Sequence, residues 1–255
     1  MKRILTVAFA ILAVVVFVGG TCGPKKPATV TPELRMTIED HVYYHNMGIT
    51  FDGNHYFTVN GGNEDYCLFN EYDGSGQFEE SHEIDLDGRA VFYHPDEEQF
   101  YVKSYGTGLY TYDVELEISD EESDDVFSLE NGSPGFSPDG KFIYELANGE
   151  GRVIETSSGE EVRTFALSGV TGEEAGGYAF SIAASDKFLF AWRAEDEVGV
   201  YDLSGKYVTG FKLPRPGYGF SLSWCNGMLW TATDADGSSD GADGKWYGYK
   251  LTGLE

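Results

Sequence analysis

Four aspartates and three glycines crowd one short stretch near the C-terminus, "TDADGSSDGADGK" at residues 233–245. Hard cations such as Ca²⁺ take several carboxylate and carbonyl oxygens from a flexible loop, and glycines permit the bends that such a loop needs. The spacing differs from that of an EF-hand, because serines occupy the fifth and sixth positions counted from the first aspartate. A calcium site is one hypothesis for this loop, and a solvated acidic loop is the other. The candidate ligands are Asp234, Asp236, Asp240 and Asp243.

Motifs for other kinds of chemistry are weak or missing in the sequence. It contains no His-Glu-x-x-His metal motif, and its Gly-x-Ser-x-Gly match, at 237–241, lies within the acidic loop of a β repeat, where the strand-to-helix turn of a nucleophile elbow is not expected. His41 and His45 stand four residues apart, which suits Zn²⁺ on a helix but separates the side chains by about 13 Å on a strand. His55 and His82 show no supporting pattern, so all four are interpreted as polar rim residues. With 43 acidic residues, no carboxylate pair for glycoside chemistry stands out.

A recurring turn indicates the fold that must position these residues. The segment "FSPDGKFIY" at 136–144 combines Pro, Asp and Gly, which favour a tight turn, with residues that favour strands. Related strand–turn–strand segments occur at 49–57, 91–102, 182–190 and 222–230, and their turn residues are 44, 43, 47 and 40 positions apart. Five copies with a period near 40–45 residues predict the blades of a β-propeller.

Each copy continues with a third strand and, in most copies, a second turn and a fourth strand, such as "EEVRTFAL" at 160–167. The fifth copy lacks a fourth strand. The segment "PELRMTI" at 32–38 is similar to "EEVRTF", and we expect it to supply the missing strand and hide the sheet edges. The predicted fold class is all-β, a five-bladed β-propeller with four-stranded blades, closed by an N-terminal strand that pairs with the last blade.

The third copy resembles a YVTN-type repeat, which is itself close to WD repeats. The fourth copy, "VGVYDLSGKYVTGFKLP" at 198–214, is similar to repeats of bacterial NHL-like and six-bladed propeller lipoproteins. The resemblance implies a propeller over residues 34–255. It implies little about activity, because propellers serve as enzymes, scaffolds and ligand binders alike.

The N-terminus predicts export. Lys2 and Arg3 precede an uncharged apolar run over residues 4–18, and small residues follow as far as Cys22. Bacterial lipoproteins resemble this pattern, which implies lipidation of Cys22, although the residues before the cysteine depart from the usual box. Ordinary cleavage of a secreted protein and an uncleaved anchor are the alternatives. We therefore predict a signal peptide over 1–22, a flexible tether over 23–32 and a single propeller domain over 33–255.

The net charge of −26, from 17 basic and 43 acidic residues, bounds the partners. Such a surface repels phosphate backbones and anionic lipid heads, so we expect no nucleic-acid partner and membrane contact through a lipid anchor only. Cys67 and Cys225 are the cysteines beyond Cys22. The repeat places them in different parts of a blade, so they are expected to be unpaired.

In related propellers, the loops between second and third strands share one face with the starts of the innermost strands, and that face commonly binds partners. Aromatic residues and arginines are frequent hot spots in such contacts. The alternative interpretation of Trp192 is structural, with the side chain covering the edge of its blade. The candidate partner-binding residues are His45, Arg89, Tyr105, Trp192, Arg193 and Tyr218.

We predict a binding or scaffolding lipoprotein of the bacterial cell envelope, with a protein or glycan as its partner and Ca²⁺ as a candidate ion. It is expected at the outer membrane or cell surface, or as a secreted or periplasmic protein without lipidation. The alternative is a propeller hydrolase or lyase that acts on a glycan or small metabolite, with Ca²⁺ as a candidate cofactor. Buried carboxylates with raised pKa at the channel mouth would indicate the enzyme, and an aromatic patch on one face would indicate the binder.

Overall fold

The computed structural model describes residues 29–40, 44–62, 67–147, 149–168, 180–194, 196–215, 217–233 and 244–254. These residues form β-strands joined by turns and short loops, so the predicted all-β class is confirmed. Over this part of the chain, no helix has the length and apolar character needed to cross a membrane.

The turn that recurs in the sequence joins the first two strands of every blade. In the third copy, the Ser137 hydroxyl donates to Asp139 Oδ1 at 2.7 Å, and Gly140 adopts a φ of +74°. The Gly140 N–H donates to the carbonyl oxygen of Ser137 at 2.8 Å and closes the turn. In the fifth copy, Asn226 takes a φ of +48°, which Asn tolerates better than most residues. The five predicted strand–turn–strand units are confirmed.

Each unit extends to four antiparallel strands. The strands are β2 (His45–Phe51), β3 (Tyr56–Gly61), β4 (Leu68–Tyr72) and β5 (Phe78–Glu83) in blade 1; β6 (Gly88–His94), β7 (Gln99–Ser104), β8 (Leu109–Asp113) and β9 (Ile118–Ser123) in blade 2; β10 (Gly135–Phe136), β11 (Phe142–Ala147), β12 (Glu150–Glu155) and β13 (Glu161–Ala166) in blade 3; β14 (Ile182–Ala184), β15 (Phe188–Ala194), β16 (Glu197–Asp202) and β17 (Tyr207–Lys212) in blade 4; and β18 (Ser223–Cys225), β19 (Met228–Thr233), β20 (Gly244–Thr252) and β1 (Thr31–Asp40) in blade 5. The first strands of neighbouring blades contact one another, as β2 does with β6 and β18 does with β2. The five sheets therefore form a propeller.

Five hydrophobic clusters fill the interfaces between neighbouring blades. Between blades 1 and 2, the rings of Phe57, Phe69 and Phe100 pack with centroids 4.6 to 5.5 Å apart. Between blades 5 and 1, Tyr56 packs edge-on against Trp230 at 5.1 Å. Because each sheet is covered on both faces, its middle strands are buried continuously, and all six residues of β3 are buried.

Strand β1 closes the ring as the outermost strand of blade 5. It pairs antiparallel with β20, from Thr31 opposite Thr252 to Asp40 opposite Gly244. The predicted closure by residues 32–38 is confirmed. The strand begins at Thr31, two residues before the predicted domain boundary, so the last two positions assigned to the tether belong to the sheet.

The C-terminal end of β1 carries a carboxylate, Asp40, with no solvent exposure. Its two oxygens accept five hydrogen bonds of 2.6 to 3.1 Å from neutral side chains of blades 1 and 5. A buried charge is tolerated when its oxygens are satisfied by donors, and these bonds also join the closing strand to blade 1. The donors are Asn46, Thr58, Asn70, Tyr72 and Trp246.

Candidate functional site

The propeller has two ends, which the strand directions distinguish. The first strand of each blade begins at one end of the propeller, and the second strand returns to that end. In blade 1, His45 at the start of β2 lies opposite Gly61 at the end of β3. We call this end the loop face, and the opposite end, with the five recurring turns, the turn face. The six candidate partner-binding residues are all predicted on the loop face.

His45 and Tyr218 meet on the loop face, although they belong to blades 1 and 5. Their rings are stacked, with centroids 5.1 Å apart and planes inclined by 16°. Phe220 lies next to Tyr218 at 5.5 Å, and Phe180 stacks on Phe220 at 6.1 Å. All four residues are half-buried, so they form a partly accessible aromatic row across the starts of blades 4, 5 and 1.

Arg89 and Tyr105 form a second pair, in blade 2. The guanidinium carbon of Arg89 lies 5.2 Å from the centroid of the Tyr105 ring, within the range of a cation–π interaction. Arg89 is largely buried and forms an ion pair with Asp87 at 2.9 Å, whereas Tyr105 is 52% exposed. The Tyr105 hydroxyl donates to Glu130 Oε2 at 3.1 Å, and this carboxylate raises the pKa of Tyr105. Tyr105 is therefore an exposed ring on a fixed support.

Asp87 connects this pair to the aromatic row. Its Oδ1 accepts a hydrogen bond of 2.7 Å from the backbone N–H of Gly62, where a Cβ would lie 3.2 Å from the His45 ring. Arg89 Nη1 also approaches Met47 Sδ of blade 1 at 3.9 Å. The structure thus brings together four of the six predicted residues in one region across blades 5, 1 and 2. This loop-face cluster consists of His45, Arg89, Tyr105 and Tyr218.

A buried lysine beneath the cluster has no signal in the sequence. Lys103 of β7 is fully buried, and its ammonium donates to the carbonyl oxygens of Gly106, at 2.9 Å, and Glu130. Burial lowers the pKa of Lys103 to about 7, and the charge of Arg89 acts in the same direction. Because the amine is inaccessible and directed at carbonyls, we interpret it as a support that ties these two loops together.

Two of the predicted face residues lie outside the loop-face cluster. Trp192 is not on a loop, because β15 continues through it to Ala194 and its side chain is fully buried between blades 4 and 5. It therefore cannot stack on a ligand. Arg193 contacts its own blade, 5.0 Å from the ring of Tyr207 on the outermost strand and 3.3 Å from Glu197. A place on a shared binding surface is thus wrong for Trp192, and for Arg193 it stays a prediction.

Several other predicted residues lie outside the described ranges. They are Cys22, His41 and the four aspartates Asp234, Asp236, Asp240 and Asp243. Lipidation and the calcium loop therefore stay predictions. Cys67 and Cys225 are described, and no disulfide joins them.

The turn face contains a cavity of about 380 Å³ that the sequence analysis did not predict. The turns of all five blades line it. Its aromatic residues are Phe51, Phe92, Tyr93 and Trp224, and its carboxylates are Asp52 and Asp186. The volume falls within the range of small-molecule sites, and mainly apolar lining with a few polar groups is typical of them.

Between the two faces, the first strands of neighbouring blades lie close together. A void of about 20 Å³ lies there among the first strands, enough for about one water molecule. At Gly48 a Cβ would lie 2.8 Å from the backbone nitrogen of Val91, so glycine permits this close approach of β2 and β6.

Comparisons with known proteins support the architecture. No family model matches the chain, and no curated protein matches its sequence. The structure is similar to the crystal structure of Myxococcus xanthus glutaminyl cyclase, with a TM-score of 0.60 and 11% sequence identity, over 90% of this chain and 100% of that one. At this identity the likeness concerns the fold alone, so the resemblance to YVTN and NHL-like repeats stays a resemblance and the chain is identified by its architecture, a five-bladed β-propeller.

Proposed function

We propose that this propeller is a non-catalytic binding module of the bacterial cell envelope and that it engages a protein partner through the loop-face cluster. The observation that carries the proposal is the Arg89–Tyr105 pair, an exposed ring held over a largely buried guanidinium. Tyr and Arg are enriched among the few residues that supply most of the energy of protein interfaces. The half-buried aromatic row next to the pair extends the same kind of surface.

The carboxylates favour binding over catalysis. A propeller hydrolase or lyase should hold carboxylates with raised pKa at the mouth of the channel. Within the described ranges, the carboxyl group whose pKa is raised belongs to Glu121 on the outermost strand of blade 2, where the neighbouring Asp124 is the main cause. The buried Glu145 is engaged by Arg152 at 2.7 Å and by Ser128 and Leu129. These groups serve structure, so an enzyme is the weaker candidate.

The direct test is co-purification from detergent-solubilised envelopes of the source organism. Wild type and two variants, Tyr105→Ala and Tyr207→Ala, serve as bait. Tyr207 is the matched control, because it is 39% exposed and also packs on an arginine, yet lies on the outermost strand of blade 4. We expect a stoichiometric partner with wild type and Tyr207→Ala, and about 30-fold weaker binding by Tyr105→Ala, the effect of a hot spot worth about 2 kcal/mol.

Two results would contradict this proposal. One is the same partner affinity for Tyr105→Ala and wild type, and the other is a folded, envelope-bound protein with no partner. A glutaminyl cyclase assay on the purified chain is a further check, since the similar crystal structure carries that name. If the chain turns over the cyclase substrate, and variants of the loop-face cluster do so equally well, a purely binding role is excluded.

We also propose that Cys22 carries the lipid that holds the module at the membrane. The tether precedes β1, so an anchor at Cys22 would leave the propeller close to the bilayer. The measurement is fractionation of cells that express wild type or Cys22→Ser. We expect the wild type with the membranes and Cys22→Ser in the soluble fraction, whereas equal membrane retention would contradict lipidation.

A further inference from the structure

The cavity on the turn face has two chemically different sides. From their turns, blades 2 and 3 contribute Pro95 and Pro138 to its lining, whereas blades 4, 5 and 1 contribute Asp186, Asn226 and Asp52. Blades 4, 5 and 1 are consecutive around the ring, because blade 5 packs against both of the others. The polar side chains therefore form one continuous arc, and the prolines form the other. Such a cavity fits a ligand with a polar end and an apolar body.

The two carboxylates of the polar arc differ in their role within the fold. Asp52 Oδ1 accepts hydrogen bonds of 2.7 Å from two backbone N–H groups of its own turn, so this oxygen stabilises the turn of blade 1. In blade 4 the same role belongs to Ser185, whose hydroxyl oxygen accepts a hydrogen bond of 3.0 Å from the N–H of Phe188. Among the described residues, the Asp186 carboxylate has no hydrogen-bond or ion-pair partner. Asp186 is therefore a charged group that its turn does not use.

The cavity carries negative charge without a compensating cation. Its described lining contains no Lys, Arg or His, and burial raises the pKa of the Cys225 thiol, so this cysteine stays neutral. The side-chain amide nitrogen of Asn226 donates to the Tyr56 hydroxyl at 2.6 Å, which leaves its carbonyl oxygen as an acceptor. The net charge of −26 on the whole chain further concentrates cations near the surface. The polar arc thus favours a ligand with a positive charge and hydrogen-bond donors.

Aromatic rings line the same cavity and are held in place by neighbouring rings. Trp224 stacks on Phe190 with centroids 5.2 Å apart and planes inclined by 9°, and Phe92 stacks on Phe136 at 4.9 Å. Aromatic faces attract ammonium groups through cation–π interactions, and they also cover the apolar part of a ligand. Because these rings are already fixed, binding would not have to order them.

We propose that the turn-face cavity binds a small organic cation, an ammonium compound with an apolar body. The ammonium group lies at the polar arc, near Asp52 and Asp186, and the apolar body lies against Phe92 and the two prolines. The volume of about 380 Å³ is sufficient for a ligand of this class. The loop-face cluster lies at the other end of the propeller, so this site does not depend on the proposed protein partner.

The test is titration of the purified full chain with phenethylamine and with benzyltrimethylammonium, with saturation-transfer NMR to measure the dissociation constants. We expect both cations to bind. The neutral 2-phenylethanol and the anionic phenylacetate should bind about tenfold more weakly or not at all, because they cannot pair with the carboxylates. Asp186→Asn should bind the cations about fivefold more weakly, the effect of one exposed charge pair. Asp186 is exposed and lies outside the strands, so this variant should fold.

The matched control is Asp139→Asn. Asp139 is an aspartate in the corresponding turn of blade 3, but it pairs with Lys141 at 2.9 Å and does not line the cavity. This variant should bind both cations as tightly as wild type. Tyr105→Ala should do the same, which separates a failure of this site from a failure of the loop-face cluster.

Tryptophan fluorescence locates the bound cation. Trp224 is half-buried, whereas the other three tryptophans have no solvent exposure, so a cation in the cavity should change the emission of Trp224 alone. Trp224→Phe keeps an aromatic ring, and it should retain binding by NMR while losing the fluorescence change. A fluorescence change that persists in Trp224→Phe would place the ligand elsewhere. That result, no binding of either cation, equal binding of the neutral analogue, or unchanged affinity of Asp186→Asn would overturn the proposal.

Discussion

The indole nitrogen of Trp246 donates a hydrogen bond of 2.7 Å to Asp40 Oδ2, across 206 positions of the sequence. Asp40 ends β1 and Trp246 lies in β20, so this bond joins the two strands that close the ring. Four further donors converge on the same carboxylate. The closure thus rests on a specific buried polar network as well as on backbone pairing.

We expect Asp40→Ala to lower the free energy of unfolding by about 3–5 kcal/mol, because it leaves several buried donors without an acceptor. Denaturation in urea, followed by tryptophan fluorescence, measures the change. The control is Glu39→Ala, which removes an exposed ion pair with Lys245 and should cost about 1 kcal/mol or less. Similar midpoints for the two variants would mean that the Asp40 network contributes little to closure.

Lys103 predicts a dependence of stability on pH. Its pKa of about 7 in the folded protein lies below the 10.5 of an unperturbed lysine, so the unfolded chain binds more protons between these values. The free energy of unfolding should therefore rise from pH 7 towards pH 10, by a few kcal/mol as an order of magnitude. Lys103→Met should remove this rise, and the exposed control Lys141→Met should retain it.

The measurement compares urea midpoints between pH 7 and pH 9.5. It stops there because buried tyrosines act in the opposite direction at higher pH. Burial raises the pKa of Tyr201 to about 12, so the folded protein keeps a proton that the unfolded chain loses above pH 10, and stability falls. A Lys103→Met profile parallel to that of the wild type would show that the lysine is charged and well solvated at neutral pH.

Gly48 predicts a steric limit at the axis. In Gly48→Ala, the new methyl group would lie 2.8 Å from the nitrogen of Val91 and 3.0 Å from the Cα of Ala90, both backbone atoms. We expect a loss of about 1–3 kcal/mol, since β2 and β6 must separate. Gly132→Ala is the control, because its nearest neighbours are side-chain atoms of Leu129 at 3.3 Å. Thermal unfolding of both variants tests this, and equal transitions would contradict it.

Truncation should reduce the stability of the fold strongly at Trp192 and only slightly at Tyr105. Trp192→Ala opens a cavity between blades 4 and 5 and should cost about 3–5 kcal/mol of folding free energy. Tyr105→Ala removes an exposed ring and should change stability by about 0.5 kcal/mol or less. Chemical denaturation distinguishes the two positions. A stable Trp192→Ala protein with weakened partner binding would restore the original placement of Trp192 on the face.

Features that repeat along the chain were predictable from the sequence. The spacing of the turns at Asp52, Asp139 and Asn226 predicts the blades, because a tight turn depends on local residue types. The closing strand was also accessible, since residues 32–38 are similar to a fourth strand of another copy. At Trp192 the same approach fails, because the loop is predicted to begin at Trp192, whereas the run "FLFAW" continues the strand through it.

Features that combine residues from distant segments were not predictable. Asp40 is one of 43 acidic residues, and nothing local distinguishes it from an exposed one. Its burial depends on donors from four other strands, which only the register brings together. The same holds for Lys103. The four residues of the loop-face cluster were predictable as members of one surface. The pairing of His45 with Tyr218 and of Arg89 with Tyr105 was not.

The pairing of β1 with β20 also determines when the propeller can close during synthesis. Residues 31–40 leave the ribosome about two hundred positions before β20, so β1 waits as an unsatisfied edge while the other blades emerge. Contacts of such long sequence separation make folding slow and concentrate it at the end of translation or export. A chain that loses its last dozen residues would keep two open edges, on β1 and β19. It should therefore associate with other copies through edge strands, and secretion in an unfolded state would avoid that hazard inside the cell.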